Sequence, residues 1–412
     1  MVTKPSKKLA GLLAVSLPAA ILVVTAASDA GAKVTGICSN CHTMHNSQDA
    51  NPMTLDDTTT PNPMLTRGGC VGCHATGGGQ RVYSPDTVSY FPQVYHNDGA
   101  GDLAAGNFGY IDGTKTGEGA ASANKGHNVI DLFGANSDPN QAGLPGGIVQ
   151  TGHDGYIVND GNLTCAGQNG CHGQRYFDAS MVSGLPALKG AHHANADGQC
   201  NPPADSTATV GGSYRFLYGI KGFENAAGNV LNRWQNIDAN THNEYYGAAQ
   251  PMTLRCLGGG VSCHGSGGVR PESQTISGFC ATCHGNFHTL KSPLSNGSEV
   301  GSGNSMGIGP GITSPFRRHP TDVVINRLGA SSEYAAYTAY SVEAPPARTS
   351  LPGAMSAVVA PEQDAVTCLS CHMAHASPYE DMLRWDYSGM IAHSAGAAAG
   401  GCFTCHTTKD DQ

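Results

Sequence analysis

Five times the chain repeats the pattern Cys-x-x-Cys-His. Two cysteines three positions apart lie on one face of a helical turn, where both thiols reach the two vinyl groups of a porphyrin, and the next histidine reaches the iron. Zinc ribbons and thioredoxin-like sites also use Cys-x-x-Cys, but five repeats in one chain favour covalent haem c. The five motifs are Cys38/Cys41/His42, Cys70/Cys73/His74, Cys280/Cys283/His284, Cys368/Cys371/His372 and Cys402/Cys405/His406.

Two further segments keep the Cys-His pair but place more residues between the two cysteines. They are Cys165/Cys171/His172, with five intervening residues, and Cys256/Cys263/His264, with six. Doubling the length of a flexible loop costs only about 0.6 kcal/mol, so these glycine-rich inserts can loop out while both sulfurs meet a porphyrin. The alternative is disulfide pairing, among these cysteines or with Cys200. We expect six or seven haems, with Cys200 as a buried free thiol.

Eleven histidines lie outside these motifs, enough to give every iron a second axial ligand. Two histidine ligands make the iron low-spin and close its open coordination site, which suits electron transfer and excludes substrate binding at the metal. Met44 and Met373 lie near motifs, but each is followed by a better-placed histidine. The sequence therefore predicts an electron carrier and not an enzyme.

Three of the eleven follow a motif histidine by three or four positions: His45, His288 and His375. A histidine at this spacing lies on the same face of the same turn, so it cannot bind the opposite side of the same iron. It must reach a different haem, which would bring two porphyrins close together. The further candidates for distal ligands are His96, His192, His193, His242 and His393.

Residues 1–32 have the pattern of an export signal, with a basic start, an apolar run over 9–24 and Ala-x-Ala at 30–32. We expect Lys33 to begin a mature, secreted chain without a membrane span. That chain would carry nineteen basic and thirty acidic residues, a formal charge of −11. Such a surface repels nucleic acid, so nucleic-acid partners are not expected.

The mature chain has too few apolar residues for an ordinary core of its length. Only 39% of the residues are hydrophobic and 56 are glycine. Haems supply large apolar faces around which a glycine-rich chain can wrap. We predict one haem-threaded domain over 33–412 that is mostly irregular, with few short helices and minimal strand. Strand-like patches occur at 91–96 and 148–158, and helices are predicted at 321–328 and 379–393.

Four segments, at 38–47, 125–129, 318–320 and 368–377, resemble those of the OmcS-type extracellular cytochromes, which polymerise into conductive filaments. These landmarks occur in the same order along most of the chain. The resemblance implies bis-His ligation, stacked and T-shaped haem pairs, and electron flow to extracellular acceptors. It also implies that His127, His288, His319 and His375 are distal ligands. His45 would complete a haem of the neighbouring subunit, the one attached at Cys368 and Cys371.

The chain departs from that family at its two stretched motifs. The family carries six haems on short motifs, whereas a haem at Cys256 and Cys263 has no counterpart there. The segments 191–194 and 241–243 are also additional, and we expect them to supply ligands for the stretched motifs.

These observations predict a secreted conduit that polymerises with itself and passes electrons to other redox cytochromes and extracellular acceptors. The first alternative is a monomeric periplasmic or surface shuttle. The second is a multihaem reductase of small oxyanions, which needs a haem with an open face. The third is a metal-free disulfide protein. The sequence leaves reduction potentials open, since burial and neighbouring charge set them.

Counting the haems tests directly whether the cysteine motifs carry covalent haem c. Pyridine haemochrome analysis and intact mass of the purified mature protein should give six or seven covalent haems per chain. Five haems would show that neither stretched motif carries one. A colourless protein with the mass of its amino acids alone would contradict the haem interpretation.

Overall fold

The computed structural model describes about half of the chain. The described residues are Met1, 36–55, 58–62, 64–75, 79–99, 101–115, 119–134, 161–166, 169–172, 192, 217, 219–223, 229–234, 236–249, 275–281, 284, 319, 321–325, 334–350, 354–392 and 400–407. The sequence predictions that lie outside them concern residues 2–32, His193, Cys200, Cys256, Cys263, His264, Cys283, His288, His393 and the patch at 148–158.

The described helices are short, and most of them carry a haem motif. They are α1 Cys38–Cys41, α2 Cys70–His74, α3 Gly109–Asp112, α4 Ile130–Phe133, α5 Ile276–Ala281 and α6 Cys368–Cys371. Four 3-10 turns cover Ala123–Lys125, Val230–Asn232, Glu380–Met382 and Gly401–Thr404. None of the helices in the described segments is long and apolar enough to cross a membrane.

The strands are two or three residues long. They are β1 Ser47–Gln48, β2 Asn51–Pro52, β3 Val82–Tyr83, β4 Phe91–Pro92, β5 Thr164–Ala166, β6 Gly170–His172, β7 Ile220–Lys221, β8 Glu244–Tyr246, β9 Val323–Val324, β10 Ala347–Arg348 and β11 Ala365–Val366. The largest described sheet has the order β7-β8-β10-β11-β9, and only its β8-β10 pairing is parallel. Turns and irregular segments connect these elements, so the predicted fold class is confirmed.

Among the described residues, the apolar core is divided into three small clusters of buried side chains. The first cluster includes Tyr245, the second includes Tyr340 and the third includes Phe108. Each cluster has a haem-motif cysteine packed at its edge, namely Cys171, Cys405 and Cys165 in the same order. Burial of apolar surface is therefore concentrated beside the cysteines that would carry porphyrins, as expected if haem faces complete the core.

A buried ionic network holds the largest sheet together. Glu244 is fully buried in β8 and accepts hydrogen bonds from Arg348 Nε at 2.8 Å and from the Ser356 amide at 2.7 Å. Arg348, in β10, also pairs with Asp364. Burial acts to raise the pKa of the Glu244 carboxyl, but hydrogen bonds from His242 and Arg348 outweigh it and lower the pKa. The carboxylate is thus kept charged inside the sheet.

The helix predicted at 321–328 is wrong within its described part, 321–325. Asp322 has a positive φ of 53°, and its carboxylate accepts hydrogen bonds from the Ala248 amide and the Thr275 hydroxyl at 3.0 and 2.7 Å. Val323 and Val324 then pair with β11. Long-range contacts override the local helix signal here, as they commonly do.

The helix predicted at 379–393 is also wrong. Only Glu380–Met382 is helical, as a 3-10 turn that contains a positive φ at Asp381. The chain then lies along α6, because the amides of Met373 and Arg384 donate to the carbonyls of Met382 and Cys371. The strand patch at 91–96 is confirmed in part, since Phe91–Pro92 pairs with β3.

Removing the Glu244 charge should destabilise the protein strongly. Breaking a buried ion pair on one side costs about 3–5 kcal/mol, because the partner charge stays buried. We expect Glu244→Gln to lower the free energy of unfolding by that amount in urea titrations of the haem-loaded protein. The exposed Glu380→Gln variant is the control and should change it by less than about 0.5 kcal/mol. Equal effects of the two substitutions would contradict the structural role of Glu244.

Candidate haem sites

Four short motifs share one local bond that orders their ligands. The amide of the motif histidine donates to the carbonyl of the first cysteine, at distances of 2.8 to 3.0 Å. This closes one helical turn, so the cysteines lie on one face and the histidine follows at the end. The motifs with this bond begin at Cys38, Cys280, Cys368 and Cys402. Each site is named below by its motif histidine, as in the His372 site.

The remaining short motif, with Cys70 and Cys73, keeps its histidine inside the helix. α2 covers Cys70–His74, one residue more than α1 or α6. The buried Gln93 side chain donates from Nε2 to the Cys73 carbonyl at 2.9 Å, which fixes the end of this turn. Cys70 and Cys73 are both partly buried, and neither forms a disulfide bond. Attachment of a haem at Cys73 stays a prediction.

The stretched motif at Cys165 and Cys171 reaches a similar arrangement without a helix. Strands β5 and β6 pair in parallel, with Ala166 opposite His172, so the two cysteines are direct neighbours across the ladder. Neighbouring strands lie about 4.8 Å apart, close to the spacing of residues three apart on a helix. A Cβ at Gly170 would lie 2.5 Å from the Ala166 amide, so glycine permits this approach. Neither cysteine forms a disulfide bond.

Four histidine pairs bring a motif histidine opposite a histidine from outside the motifs. Their ring centroids lie 6.0 to 6.4 Å apart, and the angles between the ring planes run from 22° to 89°. The pairs are His74 with His192, His284 with His127, His172 with His375, and His406 with His319.

This separation fits an iron held between two imidazoles. A first-row metal lies about 2.0–2.1 Å from a ligating histidine nitrogen, and the ring centre lies roughly 1.1 Å further out. Two axial rings on opposite sides of one metal therefore have centroids about 6.3 Å apart. The four observed separations agree with that value, so the residues fit haem groups with two histidine ligands.

Hydrogen bonds orient the rings for ligation. Nδ1 of His74 lies 2.8 Å from the Pro92 carbonyl, that of His127 2.7 Å from the Ala374 carbonyl, and that of His372 2.9 Å from the Asp381 carbonyl. A proton on Nδ1 leaves Nε2 as the free lone pair for a metal, the usual arrangement of ligating histidines.

Burial favours the neutral imidazole that a metal requires. It lowers the pKa of His74, His127 and His372, and it lowers the pKa of His375 to about 3.

The segment after α6 lies between two of the predicted sites. His372 and His375 lie three positions apart, and His375 faces His172 of the stretched motif. The His375 carbonyl accepts a hydrogen bond from the His127 amide at 3.0 Å, and His127 in turn faces His284. A Cβ at Gly126 would lie 2.5 Å from the Ala376 Cβ, so this crossing requires glycine. One short crossing thus positions histidines of the predicted His372, His172 and His284 sites.

Neighbouring sites also contact each other through their cysteines. The thiols of Cys70 and Cys165 are hydrogen-bonded, and this contact lowers the pKa of Cys70. Burial, together with nearby Cys405 and Cys402, raises the pKa of the Cys371 thiol to about 12. The His74 and His172 sites are therefore adjacent, as are the His372 and His406 sites.

Three of the predicted distal ligands face no motif histidine in the described part of the chain. His45 is exposed, and its ring contacts no partner in the described part of the chain. His96 is 2% exposed, with Nε2 3.6 Å from Asp102. His242 places Nε2 3.1 Å from the Glu244 carboxylate and stacks on Tyr340 at 3.7 Å. Unlike the paired histidines, His242 directs both ring nitrogens at protein acceptors, so the geometry does not support its prediction as a distal ligand.

Sequence reasoning missed several side chains that position these groups. Phe108 stacks on His375 at 4.8 Å, and Tyr334 meets His406 edge-on at 5.0 Å. Asp131 accepts a hydrogen bond from the Cys165 amide at 2.9 Å. No motif marks these residues, because they lie far along the chain from the histidines and cysteines that they contact.

Comparisons with known proteins agree with this chemistry. Residues 360–411 match the family of the doubled CXXCH motif. The chain is 26% identical to the C-type cytochrome OmcS of Geobacter sulfurreducens, and the match covers 91% of this chain and 84% of that protein. The relative is a cytochrome, which supports the prediction of an electron carrier over that of an enzyme.

Two solved structures are also similar. An outer membrane cytochrome S filament from Geobacter sulfurreducens matches with a TM-score of 0.42 at 20% identity, over 92% of this chain and 95% of that one. A structure of OmcS nanowires from the same organism matches with a TM-score of 0.41 at 18% identity, over 93% and 92%.

Three observations indicate the same class of protein. They are the repeated motifs, the doubled-motif match and the similarity to OmcS along most of both sequences. The chain is similar to the OmcS-type multihaem c-type cytochromes, and its motifs support covalently attached haem c.

Proposed function

We propose that this cytochrome conducts electrons outside the cell through six or seven bis-His haems, and that it polymerises with itself into a filament. The observation that carries the proposal is the set of four histidine pairs at 6.0 to 6.4 Å, each of which joins a motif histidine to another histidine. Iron between two histidines has no open site and exchanges electrons without binding substrate.

Contacts between the sites support a continuous path for electrons. The Cys70 and Cys165 thiols touch, and the crossing of His127 with His375 links the His284 and His172 sites. Haem c supplies the redox chemistry when attached. The chain's own residues orient the axial rings and bring the attachment points together.

The exposure of His45 supports polymerisation. His45 and the motif histidine His42 are both exposed, whereas the paired histidines His127, His172 and His375 are partly buried. The paired ligands approach their partners within one chain, but the His45 ring has no such partner in the described segments. By the resemblance to OmcS-type cytochromes, His45 completes the His372 site of a second copy. The mature conduit would comprise residues 33–412 after removal of an export signal.

A test of bis-His ligation is the substitution His127→Ala. It should leave one haem, at the His284 site, with a single histidine ligand. The ferric absorption and EPR spectra should then show one high-spin haem per chain, whereas the wild-type protein shows none.

The matched control is His242→Gln, which keeps a hydrogen-bond donor for Glu244. We expect this variant to stay fully low-spin. If His127→Ala stays low-spin with all haems attached, the pairing of His127 with His284 is wrong.

The substitution His45→Ala separates the filament from a monomeric shuttle. Loss of a ligand supplied between subunits should dissociate the polymer, as seen by electron microscopy and analytical ultracentrifugation, and should make one haem high-spin. The His127→Ala variant loses an internal ligand, so it is the control that should keep its polymers. Polymers that persist unchanged in His45→Ala would contradict ligation by His45 between subunits.

A further inference from the structure

Trp385 is buried, and its indole N–H has no ordinary acceptor. The residue is 6% exposed, and no oxygen or nitrogen atom of the described residues accepts a hydrogen bond from Nε1. The indole nitrogen can only donate, and a buried donor without a partner is costly because it has lost its bond to water. An acceptor of another kind is therefore expected beside the indole.

A sulfur of a haem motif lies within reach of this indole. Burial raises the pKa of the Cys402 thiol, and a hydrogen bond from the Trp385 side chain acts against that rise. A Cβ at Gly401 would lie 2.8 Å from Cδ1 of Trp385 and 2.7 Å from Sδ of Met390, and Gly401 has a φ of +53°. Because glycine has no Cβ, the turn that begins at Gly401 can pack this closely against the indole.

The segment that carries Trp385 is also bound to the neighbouring site. The Arg384 amide donates to the Cys371 carbonyl at 2.9 Å, and its Nε donates to the Leu369 carbonyl at 2.8 Å. Two consecutive residues thus contact two haem motifs, since Arg384 binds α6 and Trp385 contacts the turn of the His406 site. The indole lies where the cysteines of the two adjacent sites meet.

We propose that Trp385 donates its N–H to the thioether sulfur at Cys402, and that it thereby positions the haem of the His406 site and raises the reduction potential of that haem. A thioether sulfur keeps its lone pairs, so it still accepts a hydrogen bond after haem attachment. This inference rests on the proposed function, in which the His406 site carries a haem and exchanges electrons with the His372 site.

The direction of the effect follows from the charge at the end of the N–H bond. The positive end of this dipole points at the cysteine-bearing edge of the haem, where it stabilises the reduced form, which carries one positive charge less. Hydrogen bonds to the ligands and attachment groups of a metal site tune its potential in this way. Trp385 acts through the sulfur and does not ligate iron.

The test compares one substitution at each of the two tryptophans of the chain. Trp385→Phe keeps an apolar ring and removes the N–H donor, so the midpoint potential of one haem should shift downward in a spectroelectrochemical titration of the haem-loaded protein. Trp234→Phe is the matched control and should shift no potential. Trp234 lies just after the turn Val230–Asn232, in another part of the chain.

The inference is overturned if Trp385→Phe leaves every potential unchanged while its haem count and low-spin spectrum are those of the wild type. Trp385 would then only fill space beside the turn, and the proposed function would be untouched. Failure of the proposed function would instead appear as missing haems or high-spin iron in the wild-type protein.

If Trp385→Phe does not load its haems, the Trp234→Phe protein decides the question, because Trp385 is then its one tryptophan. Its ultraviolet resonance Raman spectrum should show a hydrogen-bonded indole N–H whose band shifts when the haems are reduced. A free N–H, or a band that is identical in the oxidised and reduced proteins, would overturn the inference.

Discussion

Four pairs of histidine rings lie with their centres 6.0 to 6.4 Å apart, close to the roughly 6.3 Å expected for two imidazoles on one iron, and the described part of the chain is arranged to hold them there. The chain must bring together histidines as far apart in sequence as His127 and His284 or His172 and His375. It does so with a few short turns and close backbone crossings, such as that of Gly126 over Ala376. Regular helices and sheets of ordinary length would separate these residues further than the observed ring separations.

The same constraint explains the small protein core. Each of the three apolar clusters is bounded by a motif cysteine, so the buried side chains continue into the surface that a porphyrin would cover. Charged groups are buried where they stabilise the frame, as in the pairing of Glu244 with Arg348. The chain thus supports its cofactors with little secondary structure of its own.

The attachment sites could be predicted from sequence because they are local. A turn such as Cys368–Cys371 needs only its own residues, and the fold class followed from composition. The ligand pairs could not be predicted in full, since no local signal tells which distant ring faces His74. The predicted helices at 321–328 and 379–393 failed for a related reason. Asp322 and Arg384 form long-range hydrogen bonds that a local pattern does not contain.

His192 and His242 show most clearly how far prediction from the sequence alone can go. Both are histidines outside the motifs, and nothing in the sequence distinguishes them as ligands. In the structure the ring centroids of His192 and His74 lie 6.4 Å apart, whereas Nε2 of His242 lies within hydrogen-bond distance of the Glu244 carboxylate. The neighbours of each ring decide its role, and those neighbours come from other parts of the chain.

The most direct test of the account is low-temperature EPR of the fully oxidised, assembled protein, with spins counted against total iron. The account predicts that all the iron is low-spin with the signals of two imidazole ligands. A high-spin signal that amounts to one or more haems per chain would contradict it.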